Sequence, residues 1–122
     1  MDIAFRTGPG TLHAGPLTSD GDMLAVNGAG DRRSWLAAGA HRVQDGQQFV
    51  LTSSAPVDAA EAITPDGIKV HLYNTTSARV AVFDGDRPRS VEVDGQTVSF
   101  SYDNGMVTFS ALQPGEHRVS IH

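Results

Sequence analysis

Val91-Glu92-Val93-Asp94-Gly95-Gln96-Thr97-Val98-Ser99-Phe100-Ser101-Tyr102-Asp103-Asn104-Gly105-Met106-Val107-Thr108-Phe109 is the stretch that decides how this chain folds. Its apolar side chains recur at every second position, the period of a strand with one buried face. Asp94-Gly95 and Asn104-Gly105 interrupt the alternation. A type I′ hairpin turn needs positive φ at both central residues, which Asn and Asp tolerate and Gly adopts without steric cost. Strands at 91–93, 98–102 and 107–109, joined by tight reversals, are the expected result.

The same grammar extends outward in both directions. Asp20-Gly21, Asn27-Gly28, Asp45-Gly46, Asp66-Gly67 and Asp84-Gly85 supply five more turn signals. Ile68, Val70 and Leu72 alternate with Lys69, His71 and Tyr73, so one strand presents the first three to a core. Residues 79–83 read as a largely buried strand. Beyond Pro114-Gly115, Val119 and Ile121 point inward, with Arg118 and Ser120 outside. Six strands in about 55 residues is dense even for an all-β protein. A slip of one residue in any of them would turn its aliphatic set into water, so the register is well specified.

The N-terminal half carries weaker signals. Residues 3–7 and 23–26 read as strands, separated by the Gly8-Pro9-Gly10 and Gly15-Pro16 passages. Asp31-Arg32-Arg33 turns the chain into Ser34-Trp35-Leu36-Ala37-Ala38, where propensity favours a helical turn and Gly39 with its hairpin-like flanks favours a strand. Residues 48–52 and 59–64 read as two further strands. Residues 57–62 have some helical character, confined by Pro56 and Pro65. There is no internal repeat, linker or low-complexity tract. The expectation is one all-β domain over residues 1–122, an antiparallel β-sandwich of two packed sheets with about ten short strands. A closed barrel shares this signature.

Composition sets limits on function. The 122 residues suit one domain, and 39% apolar content suffices for a sandwich with two wet outer faces. The formal net charge of −5 opposes sequence-independent nucleic-acid binding, since no basic surplus displaces phosphate counterions. The clusters Arg32-Arg33 and Arg87-Pro88-Arg89 read as solvated turns. No cysteine is present, so disulfides, thiolate metal sites and a cysteine nucleophile are excluded. No apolar run is long enough to span a bilayer as a helix. Residues 1–6 lack the layout of a secretory signal, which fits either a cytosolic protein or a piece cut from a longer chain.

Candidate chemistry is sparse. His13, His41, His71, His117 and His122 show neither His-x-His nor His-x-x-x-His spacing. His71 and His117 are expected on outer strand faces, where they would meet across a sheet. Asp20-Gly21-Asp22 and Asp84-Gly85-Asp86 place carboxylates two apart in loops, where calcium is the one conceivable cofactor; turn chemistry is the plainer reading. Nucleophile-elbow, phosphate-loop and dinucleotide-binding motifs are absent from the sequence. Asn74-Thr75-Thr76 matches the glycosylation acceptor rule and reads as a turn. Sugars stack on exposed aromatic rings, which makes Trp35, Arg33 and Tyr73 the candidate glycan-binding residues. If Leu36 points inward, Trp35 points out beside Arg33; the opposite register places Trp35 in the core. Phe83, Phe100, Tyr102 and Phe109 read as packing residues.

Arg33-Ser34-Trp35-Leu36-Ala37-Ala38-Gly39, then Asp45-Gly46, then Ser53-Ser54-Ala55-Pro56-Val57 resembles the closing β-domain of heparinase II/III-type and related polysaccharide lyases. Pro88-Arg89-Ser90-Val91-Glu92-Val93-Asp94-Gly95, Tyr102-Asp103 and Leu112-Gln113-Pro114-Gly115-Glu116-His117-Arg118-Val119 are similar to the ends of many glycoside hydrolases as well. The likeness runs from about Thr18 onward and is diffuse, because much of it is general sandwich grammar. Catalytic residues of such enzymes lie mainly in an upstream toroid or barrel, so none carries over to this chain. The resemblance implies a non-catalytic accessory sandwich, as a scaffold or weak glycan binder. Its partners would be the catalytic domain of the same or a neighbouring polypeptide and a polysaccharide, with no nucleic acid and no membrane. An extracellular or periplasmic location would follow from that reading. A detached accessory domain should carry one unusually apolar surface. The alternative is a sugar-independent adhesion or assembly module with an immunoglobulin-like sandwich.

Overall fold

Asp94 and Gly95 have φ of 53° and 82°, and Asn104 and Gly105 have 52° and 81°, the paired positive values that a two-residue hairpin turn requires. In the computed structural model, which describes residues 1–8, 10–28 and 33–122, these turns close the pairs Val93↔Gln96 and Asp103↔Met106. Asp31 and Arg32 of the Asp31-Arg32-Arg33 turn, Ala29 and Gly30 of the Gly28-Ala29-Gly30 loop, and Pro9 lie outside the described residues. Thirteen strands follow in chain order: β1 (Asp2–Phe5), β2 (Leu12–Ala14), β3 (Leu17–Ser19), β4 (Met23–Asn27), β5 (Ser34–Asp45), β6 (Gln48–Thr64), β7 (Gly67–Asn74), β8 (Val80–Phe83), β9 (Val91–Val93), β10 (Gln96–Val98), β11 (Phe100–Asp103), β12 (Met106–Phe109) and β13 (Gly115–Ile121). All pairings are antiparallel, and the described residues contain no helix.

Two layers share one long hairpin. The larger runs β1-β4-β5-β6-β7-β13-β9-β10, and the smaller runs β2-β3-β5-β6-β8-β12-β11. The first part of β5 pairs β4 (Met23↔Ala38 to Asn27↔Ser34), and its end pairs β3 (Ser19↔Val43 to Leu17↔Asp45). β6 divides likewise, with Leu51 to Ser53 on β8 and Val57 to Thr64 on β7. The ladder between β5 and β6 breaks register around Ala40 and Arg42, beside Gly39 at φ 62°. Bulges of this kind bend a strand and increase its twist. Pro56 lies between the two ladders of β6, where its missing N–H costs no pairing.

The bend is confirmed by a contact that a straight strand forbids. Arg33 Nη1 donates to Asp45 Oδ2 at 2.6 Å, although twelve extended residues separate their ends. A straight strand of that length spans roughly 40 Å. The hairpin therefore doubles back and lays one layer over the other. Leu24, Ala37, Val57, Leu72 and Val119 from the larger layer join Leu17, Val43, Leu51, Val82 and Val107 from the smaller in one apolar core. The result is an antiparallel β-sandwich that does not close into a barrel, because β1, β10, β2 and β11 each pair on one side only.

Several local expectations are corrected. Residues 57–62 are strand, and the strands expected at 48–52 and 59–64 are one strand of 17 residues. Ser99 splits the strand expected at 98–102, since β10 belongs to the larger layer and β11 to the smaller. Asp84-Gly85 makes no hairpin but begins a crossover from β8 to β9. There Asp84 Oδ1 accepts from the Asp86 N–H, and the Tyr102 hydroxyl donates to the Asp84 carbonyl at 2.8 Å. Asp20-Gly21 is likewise a crossover. Arg6 organises it, donating to the carbonyls of Gly8, Gly10, Asp20 and Gly21. Alternation along the sequence shows which side chains point inward, but not which strands become neighbours.

Candidate apolar docking face

The outward positions of the larger layer follow directly from its register. Ile3 faces Ala25, Ala25 faces Leu36, Leu36 faces Ala60, Ala60 faces His71 and His71 faces Arg118. The next row runs Ser34, Ala62, Lys69 and Ser120. Alanine and serine at the centre leave a trough between taller side chains on either side. Two adjoining hollows, about 480 and 260 Å³, share Leu36, Ala60 and His71. On this face Ile3 is 53% exposed, Phe5 64%, Leu36 42% and Tyr73 50%, so four large apolar or aromatic side chains meet water on one side of one layer. Scattered apolar exposure is ordinary, whereas a contiguous patch with a polar margin is the mark of a contact surface.

The margin along β7 and β13 is polar. His71 Nε2 bonds Glu116 Oε1, and Lys69 Nζ donates to Ser120 Oγ at 3.2 Å. Lys69 is the only lysine in the sequence. At the end of the margin Asp94 accepts from the Arg118 N–H at 2.9 Å and from His117 Nδ1 at 2.8 Å. The bonds from Arg118 and His117 hold the Asp94 carboxyl below its ordinary range. Desolvation works against a charged His117, but the bonds to Asp94 and to the Gln113 carbonyl outweigh it and raise its pKa.

Beneath the trough floor lies a buried acid. Glu61 follows the inward parity of Val57, Ala59 and Ile63 and is 4% exposed. Trp35 Nε1 donates to its Oε1 at 3.0 Å, while Oε2 and the Arg33 Nε have no hydrogen-bond partner among the described residues. Burial pushes the Glu61 carboxyl up to about 7, against the opposing pull of the Trp35 bond and the Arg33 charge. The acid is sealed on the core side of the sheet.

The residues singled out from sequence are placed apart. Trp35 is 3% exposed and belongs to the core, which takes the register with Leu36 outside. Arg33 is mostly enclosed and clasped to Asp45. Tyr73 alone of the three stands on the outer face, beside Asp58 and Glu116 in the smaller hollow. His71 and His117 do not meet: His71 faces Arg118, so its neighbour His117 lies on the opposite face of β13. Asn74 is buried, the two hydrogens of its Nδ2 shared among the carbonyls of Thr76, Leu112 and Gln113, so it staples the β7 end rather than presenting a glycosylation acceptor. Asp20 accepts the N–H groups of His41 and Arg42, and Asp22 pairs with Arg6 at 3.4 Å. Those backbone bonds hold Asp20 below its ordinary pKa despite its partial burial. Among the described residues no three His, Asp or Glu side chains gather as metal ligands would.

Sequence reading missed the alanine trough and Glu61. For Glu61 a signal existed, an acid at the parity of Val57, Ala59 and Ile63. For the trough, Ala25, Ala60 and Ala62 carry no functional mark until the register aligns them. In comparisons with known proteins, no family model and no curated protein matches this chain.

Proposed function

We propose that this chain is a non-catalytic accessory sandwich of a carbohydrate-active enzyme, and that the outer face of its larger layer seats the catalytic domain of the same or a neighbouring polypeptide. The observation that supports this reading is the trough of Ala25, Leu36, Ala60 and Ala62 with exposed Ile3, Phe5 and Tyr73 around it. A flat apolar floor with a polar rim has the anatomy of a protein interface, in which a dehydrated centre is ringed by hydrogen-bonding groups. The stretches on β5 and β6 that resemble polysaccharide lyases, and the one on β13 that resembles the ends of glycoside hydrolases, suggest the class of partner. With Trp35 buried, Tyr73 is the one candidate aromatic left for a sugar ring, so scaffolding outweighs glycan capture.

The test pairs the purified chain with the catalytic domain encoded in the same or the adjacent reading frame. Binding should be abolished by Leu36→Asp and unchanged by Thr52→Asp on the opposite layer. Equal binding by both variants overturns the reading. An array of polysaccharides, with Tyr73→Ala as control, separates glycan capture from docking. A second reading, a sugar-independent assembly module, is favoured by the open edge of β1.

A further inference from the structure

Strand β1 is an edge of the larger layer: among the described residues it pairs with β4 alone, and β2, which lies against β1 and β4, forms no ladder with it. Its register with β4 is Asp2↔Val26, Ile3↔Ala25, Ala4↔Leu24 and Phe5↔Met23, and the Arg6 N–H continues it by donating to the Asp22 carbonyl at 2.8 Å. In an antiparallel ladder the residues that bond the neighbour alternate with residues whose N–H and C=O point away. The even-numbered residues therefore serve β4, and Ile3 and Phe5 direct their backbone groups to the open edge. Natural edges are usually guarded by lysine, proline or a bulge. Asp2-Ile3-Ala4-Phe5 has no lysine, proline or bulge, and its one charge is Asp2 at the strand's start. By contrast the opposite edge, β10, is three residues long and reads Gln96-Thr97-Val98.

We propose that β1 pairs antiparallel with β1 of a second copy of this chain, about a two-fold axis at Ala4. The sequence is complementary to itself in that one register. A two-fold perpendicular to the sheet keeps each face on its own side, so only residues of like parity can oppose one another. Centred on Ala4, Ile3 opposes Phe5 of the second copy and Phe5 opposes its Ile3. These are the two residues whose backbone groups are free, so they form the hydrogen-bonded pairs, and Ala4 meets Ala4 as the non-hydrogen-bonded pair. At the two ends Asp2 opposes Arg6, so no like charges face each other, while the Arg6 guanidinium stays on the carbonyls of its own chain. Ile3 and Phe5, 53% and 64% exposed in one copy, would pack against each other on the outer face. Pairing would take Ile3 and Phe5 from the border of the trough and leave its floor of Leu36, Ala60 and Ala62 open, so the dimer is tested on the chain alone, without any docking partner.

The chain has no cysteine, so an introduced one can form a disulfide only between copies. Opposed Cα atoms in a non-hydrogen-bonded pair lie roughly 4.5 Å apart, within the span a disulfide bridges. Ala4→Cys should oxidise to a covalent dimer by itself. Ile3→Cys and Phe5→Cys should each cross-link poorly alone and readily when mixed, by about tenfold or more. Thr7→Cys, beyond the strand, serves as control. Sedimentation of the unmodified chain up to millimolar concentration should show a dimer that Ile3→Lys with Phe5→Lys removes, while the circular dichroism spectrum stays that of the parent. A chain that remains monomeric throughout, or an Ala4→Cys variant that cross-links no faster than Thr7→Cys, overturns the proposal.

Discussion

The two layers of this sandwich have the same kind of interior and differ in how much apolar surface they turn outward. Both bury alternate aliphatic residues, Val70 and Leu72 in one, Leu51 and Val82 in the other. Outward, the smaller layer aligns Arg42, Thr52, Ala81, Thr108 and Ser101 in one row, and Thr18, Gln44 and the single exposed Phe49 in the next. The larger layer instead aligns Ile3, Ala25, Leu36 and Ala60. The inward set specifies the fold, and either exterior satisfies it. The outward set then separates a mostly polar face from one that carries an apolar patch, the kind of surface a partner can cover.

The largest effects should be the same on both layers. Leu72→Ala and Leu51→Ala each empty a fully buried site, and each should destabilise folding by about 2–5 kcal/mol in urea denaturation. A marked inequality would show that one layer carries the core and the other rides on it.

The next effect belongs to the larger layer alone. The folded Glu61 has a pKa of about 7 against an ordinary 4.5, so the folded state holds the proton more tightly than the unfolded chain. Its contribution is fully present below pH 4.5 and is lost as pH rises through 7, an amplitude of about 3 kcal/mol. Glu61→Gln keeps an acceptor for Trp35 without a charge, so it should flatten the fall in stability between pH 5 and 8 and raise the urea midpoint at the alkaline end. Trp35, the only tryptophan, gives the same titration a fluorescence readout. A pH profile unchanged in the variant would contradict the assignment.

The smallest effect on stability should accompany the largest effect on binding. Leu36→Asp and Thr52→Asp alter exterior positions, and each should shift folding by no more than about 0.5 kcal/mol. Binding of a hydrophobic dye should fall for Leu36→Asp and stay constant for Thr52→Asp.

What could be read without coordinates divides along the same line. The inward parities of β7, β12 and β13 and the turns at Asp94-Gly95 and Asn104-Gly105 are local, since each depends on residues two apart or on one φ pair. Layer membership is not local. Ser99 and the Asp84-Gly85 crossover look like ordinary strand and hairpin positions until distant partners claim the strands on either side. Pro56 reads as a terminator, yet it sits in a strand where the ladder changes partner. Trp35-Leu36-Ala37-Ala38 is apolar at both parities, so alternation alone leaves Trp35 free to take either face. The pairing of Trp35 with Val26 and Glu61 resolves it.

Hydroxyl-radical footprinting of the chain, alone and mixed with the catalytic domain proposed as its partner, tests the docking face most directly. Leu36 and Tyr73 should lose reactivity in the complex, while Phe49, 39% exposed on the smaller layer, should keep it. A complex that shields Phe49 and leaves Leu36 and Tyr73 reactive would place the contact on the wrong layer and contradict the account.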